Sequence, residues 1–130
     1  MFHAETHNIR VTVMPVYIDE RSSPDDSRYF WAYRVSILNR GRSTVKLVSR
    51  YWHIVDGNGH EEIVRGMGVV GEQPVLEPGQ SFEYTSGCPL NTPSGFMQGH
   101  YVMVDGRGSK LQIEIPAFPL DLPGTSPVLN

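Results

Sequence analysis

Over residues 8–18, Ile9, Val11 and Val13 fall on one side of an extended backbone, and Arg10 and Thr12 on the other. Period-two patterning with β-branched residues predicts a half-buried strand. Residues 28–39 repeat the pattern more strongly: Trp31, Tyr33, Val35 and Ile37 share one face, Arg34 and Ser36 the other. A third strand spans 45–56, with Val48, Trp52 and Ile54 on one face and Tyr51 and His53 opposite. Asp56-Gly57-Asn58-Gly59 then predicts a hairpin, because Asp-Gly and Asn-Gly tolerate the positive φ such turns need. Residues 60–65 return as its second arm. A Pro78-Gly79 turn launches a strand over 82–86. Residues 95–104 form the next strand, and Asp105-Gly106-Arg107-Gly108 is a second turn. Leu111, Ile113 and Ile115 alternate in the last strand, which Pro116 ends. The polar segments 19–27 and 88–94 contain proline and read as loops. Residues 119–130, with Pro119, Pro123, Gly124 and Pro127, read as a flexible C-terminal tail. The pattern therefore places one domain over 1–118 and a tail over 119–130.

About seven short strands, turn signals every 8–12 residues and no convincing helix predict an all-β fold, an immunoglobulin-like β-sandwich. Trp52 sits where such a domain keeps its core tryptophan on the third strand. Tyr101 precedes Met103 by two residues, the spacing of a tyrosine corner, with Met103 in the place of the second cysteine.

Composition narrows the function classes. A chain of 130 residues buries roughly 65–70% of its unfolded surface and needs no disulfide or metal to fold. Formal net charge is -3, from 11 basic and 14 acidic residues mixed along the chain. That balance argues against a nucleic-acid or anionic-membrane partner held by bulk charge. No apolar run is long enough to span a bilayer, and the N-terminus lacks the basic and apolar regions of a signal peptide. Cys88 is the only cysteine, so no internal disulfide forms and a cytoplasmic location is expected.

One stretch invites a chemical reading. Gly66-Met67-Gly68-Val69-Val70-Gly71 spells G-x-G-x-x-G, the fingerprint of a loop that cradles a pyrophosphate. A true fingerprint closes a strand and opens a helix, whose N-terminal amides hold the anion. Pro74, Pro78 and Gly79 follow within one or two helical turns, and a helix interior does not tolerate that spacing. No Gly-Lys-Ser or Gly-Lys-Thr is present, so a P-loop is excluded. Two readings remain. In one, the loop crosses between sheets, its glycines permit tight or positive-φ backbone, and Val69 and Val70 plug the core. In the other, the exposed amides form an anion-binding nest without a helix. The candidate ligand-binding residues are then Arg65, Gly66, Gly68, Gly71, Glu72 and Gln73, with help from Arg50.

The same stretch carries a family resemblance. Val64-Arg65-Gly66-Met67-Gly68-Val69-Val70-Gly71-Glu72-Gln73-Pro74 resembles the signature of the ApaG family, also called CorD. So do Phe82-Glu83-Tyr84-Thr85-Ser86-Gly87-Cys88-Pro89-Leu90 and Gly95-Phe96-Met97-Gln98-Gly99-His100-Tyr101-Val102-Met103-Val104. Arg28-Tyr29-Phe30-Trp31-Ala32-Tyr33 and Ser49-Arg50-Tyr51-Trp52 fit as well. The match covers roughly residues 8–118. Met67 departs from the polar residue expected there, and Tyr51 from the usual histidine. The resemblance implies a fibronectin type III-like β-sandwich and a bacterial cytoplasmic protein. It implies a gene that often neighbours that of a diadenosine tetraphosphate hydrolase, and a loose association with cobalt resistance and magnesium efflux. Similar domains in eukaryotic F-box and polymerase-interacting proteins point to interaction modules. The family brings no established catalytic residues.

Other chemistry finds little support in the sequence. His3, His7, His53, His60 and His100 form no pair at metal-ligand spacing. Glu61-Glu62 and Asp25-Asp26 are adjacent pairs whose side chains diverge on extended backbone. Cys88 with His100 as base would make a nucleophile, but no basic residue near Cys88 lowers its pKa. Gly-x-Ser-x-Gly is absent. The expectation is a non-enzymatic binding module for protein partners, without metal or cofactor. Exposed sandwich edges also permit a homodimer. The alternative is a small-anion or nucleotide-pyrophosphate site on the 66–71 loop.

Overall fold

The computed structural model describes residues 1–123. It is a β-sandwich of two antiparallel sheets. The strands are β1 (Phe2–Thr6), β2 (Ile9–Tyr17), β3 (Tyr29–Asn39), β4 (Val45–Asp56), β5 (Glu61–Met67), β6 (Val75–Leu76), β7 (Ser81–Leu90), β8 (Gly95–Asp105) and β9 (Lys110–Leu120). One sheet has the order β1-β2-β3-β7. The other runs β5-β4-β8-β9, with β6 paired to the start of β4. Two short 3₁₀ turns, Asp19–Arg21 and Pro24–Asp26, fill the expected loop between β2 and β3. Among the described residues no helix is long and apolar enough to cross a membrane.

Alternation decides what is buried. Val11, Val13, Trp31, Val35 and Ile37 point into the core from the first sheet; Leu47, Trp52, Met97, Tyr101, Met103, Ile113 and Phe118 meet them from the second. Trp52 packs edge-on against Tyr33 at 5.3 Å and against Phe118 at 5.9 Å between ring centroids. Such contacts add about 0.5–1.5 kcal/mol beyond the area they bury.

Several expectations change. Two strands are additional: β1, whose polar His3 and Glu5 mask its alternation, and the two-residue β6. Val48 does not join Trp52 and Ile54. A β-bulge between Leu47 and Ser49 shifts the register against β8 and makes Leu47 the buried residue. An extra residue in one strand flips every side chain beyond it. Pro116 does not end the last strand either. The register skips from Gly99–Ile115 to Met97–Phe118, so Pro116 and Ala117 sit in a bulge and the strand continues to Leu120. A bulge is where a strand tolerates a residue without an N–H. The ordered sandwich thus passes the boundary at 118, with Phe118 and Leu120 both buried. Residues 124–130 of the expected tail lie outside the described residues. Pro89 likewise belongs to a strand, the sheet-edge β7, rather than to a loop.

Tyr101 is fully buried, but its hydroxyl bonds the hydroxyl of Tyr84 on the opposite sheet instead of a nearby backbone group. It ties the two sheets together where a tyrosine corner would tie a strand to its own loop.

Candidate functional site

β4 and β5 form a hairpin whose turn is built by Asp56. Its Oδ1 accepts hydrogen bonds from the amides of Asn58 (2.8 Å) and His60 (3.0 Å). Desolvation raises the Asp56 carboxyl, and these amide bonds together with the nearby His60 outweigh it, holding the group below its usual range. The hairpin register sets Tyr51 opposite Arg65 and Arg50 opposite Gly66, and β8 sets His100 beside Tyr51. Facing residues on neighbouring strands share a side of the sheet. Arg65, Tyr51 and His100 therefore form a row on the outer face of this sheet, and Arg50 points inward.

The row is stacked. The His100 ring lies parallel to Tyr51, with centroids 4.9 Å apart and 12° between planes. The Arg65 guanidinium sits 5.4 Å from the Tyr51 centroid. One step along the sheet, His53 Nε2 lies 2.7 Å from Glu61 Oε1, and Gln98 Nε2 lies 3.2 Å from His53 Nδ1. A Gln98 amide donating to Nδ1 leaves the ring proton on Nε2, facing the carboxylate. Beside the row, Tyr51, Arg65, Gly66, Met67 and His100 line an open concavity of about 600 Å³. Met67 is 66% exposed there.

Arg50 lies at the margin between the sheets. Its Nη1 donates to the carbonyls of Met67 (3.1 Å) and Gly68 (2.9 Å). A Cβ on Gly66 would come within 2.7 Å of that guanidinium, so Gly66 is the residue that lets Arg50 cross β5. Behind it are three buried phenols. Burial raises the pKa of Tyr33, Tyr84 and Tyr101 above the ordinary 10.0, and the Arg50 charge only partly offsets the rise.

The glycine loop is a tight hairpin. The Val69 amide donates to Glu72 O (2.8 Å), and the Glu72 amide returns the bond to Val69 O (2.9 Å). Val70 and Gly71 occupy the two central positions at φ 43° and 82°, the type I′ signature. Gly68 has φ 64°, and a Cβ there would lie 2.2 Å from Glu72 O. Val69 is fully buried, so one valine plugs the core; Val70 is 53% exposed and does not. Full burial of such a side chain contributes about 1.5–3 kcal/mol.

The structure thus distributes the six candidate residues. Arg65 is on the outer face, and Gly66 makes room for Arg50. Gly68 and Gly71 supply turn geometry. The side chain of Gln73 donates to Val48 O at 2.9 Å, closing the β4 bulge. Glu72 serves through its backbone. The amides of Gly68, Val69 and Glu72 are all committed within the chain, Gly68 to Val48 O at 2.8 Å. A nest drawing on those amides is therefore already filled. The Arg65–Tyr51–His100 row needs the strand register to be seen; the only sequence signal was that Tyr51 lies opposite Trp52.

Cys88 and His100 do not meet. Cys88 is on the inner face of β7, 2% exposed, and His100 is on the outer face of the other sheet. Burial, with the Glu62 carboxylate adding to it, pushes the Cys88 thiol up to about 12. At neutral pH it is a packed thiol, not a nucleophile. Among the described residues no three His, Cys, Asp or Glu side chains come together as a metal site.

With this geometry in place, the comparisons with known proteins decide the family. Residues 19–105 match the ApaG domain. The chain belongs to the ApaG family. It is 56% identical to protein ApaG of Mesorhizobium japonicum and 57% identical to protein ApaG of Agrobacterium fabrum. Each match spans 130 residues and the full length of both chains. Among solved structures, the ApaA protein of Bordetella pertussis superposes with a TM-score of 0.89 at 45% identity, covering 93% of this chain and 98% of that one. A second X-ray structure, from a structural genomics programme, gives 0.86 at 41% identity, over 95% of this chain and 93% of that one. A part of Bacteroides uniformis β-glucuronidase 2, 12% of that chain, aligns with 82% of this one at a TM-score of 0.53 and 10% identity, which shows a shared sandwich fold alone.

Proposed function

We propose that this ApaG-family domain is a non-enzymatic, cytoplasmic binding module whose contact surface is the outer face of β5, β4 and β8. The observation that carries the reading is the stacked Arg65–Tyr51–His100 row beside exposed Met67, with no carboxylate paired to Arg65 among the described residues. A rigid aromatic body, a cation and a flexible thioether are the residue types that anchor protein partners. The partner chemistry that fits is a peptide segment with an acidic residue beside an apolar one. The test is selection of displayed peptides on the folded domain, followed by Tyr51→Ala and Met67→Ser. Enriched acidic-apolar peptides that lose affinity for both variants support the module. Peptides that bind both variants unchanged, or no enrichment at all, sink it. Any link to cobalt or magnesium then runs through a partner, because among the described residues no three donor side chains for a hard or borderline cation come together.

A second reading is favoured by one feature: Arg65 lines the concavity beside the glycine loop and has no ion pair among the described residues. A pyrophosphate would be held by the Arg65 guanidinium, with the amides of Val70 and Gly71 as the remaining loop donors. Titration with inorganic pyrophosphate, following the amide resonances of residues 65–73, tests it; unshifted resonances at millimolar ligand end it.

A further inference from the structure

Among the described residues β5 is the end strand of its sheet, paired on one side only. Its backbone groups alternate in direction, as in any antiparallel ladder. The bonds Asp56 N to His60 O and Gly68 N to Val48 O, at either end of the hairpin, put the even-numbered residues of β5 in the bonded positions. The N–H and C=O groups of Glu61, Ile63 and Arg65 therefore face away from β4, and no group of the described residues bonds them. At the far end Arg50 occupies the carbonyl of Met67, so the open ladder is bounded and short. Ile63 stands exposed in its middle, 46% accessible.

Glu61 and Arg65 lie two residues to either side of Ile63, on the same outer face. We propose that β5 pairs with β5 of a second copy of this chain, antiparallel and centred on Ile63, so that the two sheets become continuous. This deepens the module reading and rests on β5 being part of its interaction surface. In this register Glu61 of each copy lies directly opposite Arg65 of the other, and the two Ile63 side chains meet at the centre. Met67 faces Gly59 of the second copy, a turn residue without a side chain to obstruct it. Centring on Val64 instead sets Ile63 opposite Arg65 and Glu61 opposite Met67, leaving each charge unmatched. Charge complementarity thus selects both the occupant and the register. The His53 contact uses Glu61 Oε1 and leaves the second carboxylate oxygen for Arg65 of the second copy. The other strand on this side, β7, contains Pro89, which offers no N–H to a ladder. Three residue pairs bury less than the roughly 1,000 Å² of a stable interface, so the dimer is weak and forms at high concentration.

Sedimentation equilibrium of the full chain over about 10 μM to about 1 mM covers that affinity range. The wild type is expected to pass from monomer to dimer. Arg65→Glu and Glu61→Arg each place like charges opposite one another and weaken association by roughly tenfold. The Glu61→Arg/Arg65→Glu double variant restores it. Ile63→Pro removes an outward N–H that β4 does not use and abolishes it. A wild type that stays monomeric at every concentration overturns the proposal, as does a dimer indifferent to the single reversals, or reversals that the double swap fails to rescue. The outcome is separable from that of the module reading. Tyr51→Ala and Met67→Ser leave Glu61, Ile63 and Arg65 intact, so peptide capture and self-association fail independently.

Discussion

The two sides of this sandwich are closed in different ways. On one side, β9 is the last strand of its sheet, yet β1 of the other sheet covers it: the Glu114 amide donates to Thr6 Oγ1 at 3.1 Å, and Phe2 meets Phe118 at 6.4 Å. Trp31 Nε1 donates to Asp121 O at 2.8 Å just beyond the strand. On the other side, β5 has no such cover among the described residues. From this strand Val64 packs against the buried core, and the outward N–H and C=O groups of Glu61, Ile63 and Arg65 have no partner among the described residues. A protein that protects one edge with its own chain has the means to protect both. The lesson is that a free edge is to be read together with its side chains, because Glu61, Ile63 and Arg65 decide what pairs with it.

The largest expected effect is of pH. Tyr33, Tyr84, Tyr101 and Cys88 all have folded pKa values raised by burial. Stability from these groups is complete below their unfolded values, about 9 for the thiol and 10 for the phenols, and is lost as pH rises through and above them. Cooperative unfolding is expected in the alkaline range, with tyrosinate absorbance from the three phenols appearing together with loss of the β-sheet circular dichroism. Ionisation of all tyrosines ahead of unfolding would show that the open side admits water to the core.

Next is the covered side. Phe118→Ala is expected to cost about 3–5 kcal/mol in urea denaturation, since Phe118 touches Phe2, Tyr33 and Trp52. On the open side the matching change is mild: Ile63→Ser stays within about 0.5 kcal/mol for the monomer. A cost at Ile63 approaching that at Phe118 would mean that β5 is covered within the chain. Gly68→Ala is expected to destabilise by about 1–3 kcal/mol, because φ 64° and the close Glu72 carbonyl both oppose a Cβ. Val70→Asn is the smallest effect and has the opposite sign. A β-branched residue at φ 43° is strained, and Asn-Gly suits a type I′ turn, so a gain of about 0.5–1 kcal/mol is expected.

Much of the sandwich is visible in the sequence because its central strands alternate cleanly, as at Trp31, Tyr33, Val35 and Ile37. The misread segments share a cause. Phe2–Thr6 is only five residues long and alternates half-buried Phe2, Ala4 and Thr6 with exposed His3 and Glu5, too short and too polar a run to read as a strand. Val48 and Pro116 lie at bulges, where one extra residue resets the period. Of the candidate site, the demand for unusual backbone at Gly68 and Gly71 was legible, since glycine pattern reports φ. Which side chains come together was not. Arg65, Tyr51 and His100 belong to three strands, and their adjacency exists only once β4, β5 and β8 are in register.

Amide hydrogen exchange along β5 tests the open edge most directly. The amides of Glu62 and Val64, bonded to β4, are expected to be protected at every protein concentration. Those of Ile63 and Arg65 are expected to exchange rapidly in dilute solution and to become protected as concentration rises. Protection of Ile63 and Arg65 in dilute solution would show that the edge is covered within the chain, and rapid exchange at every concentration would show that no second copy pairs with it.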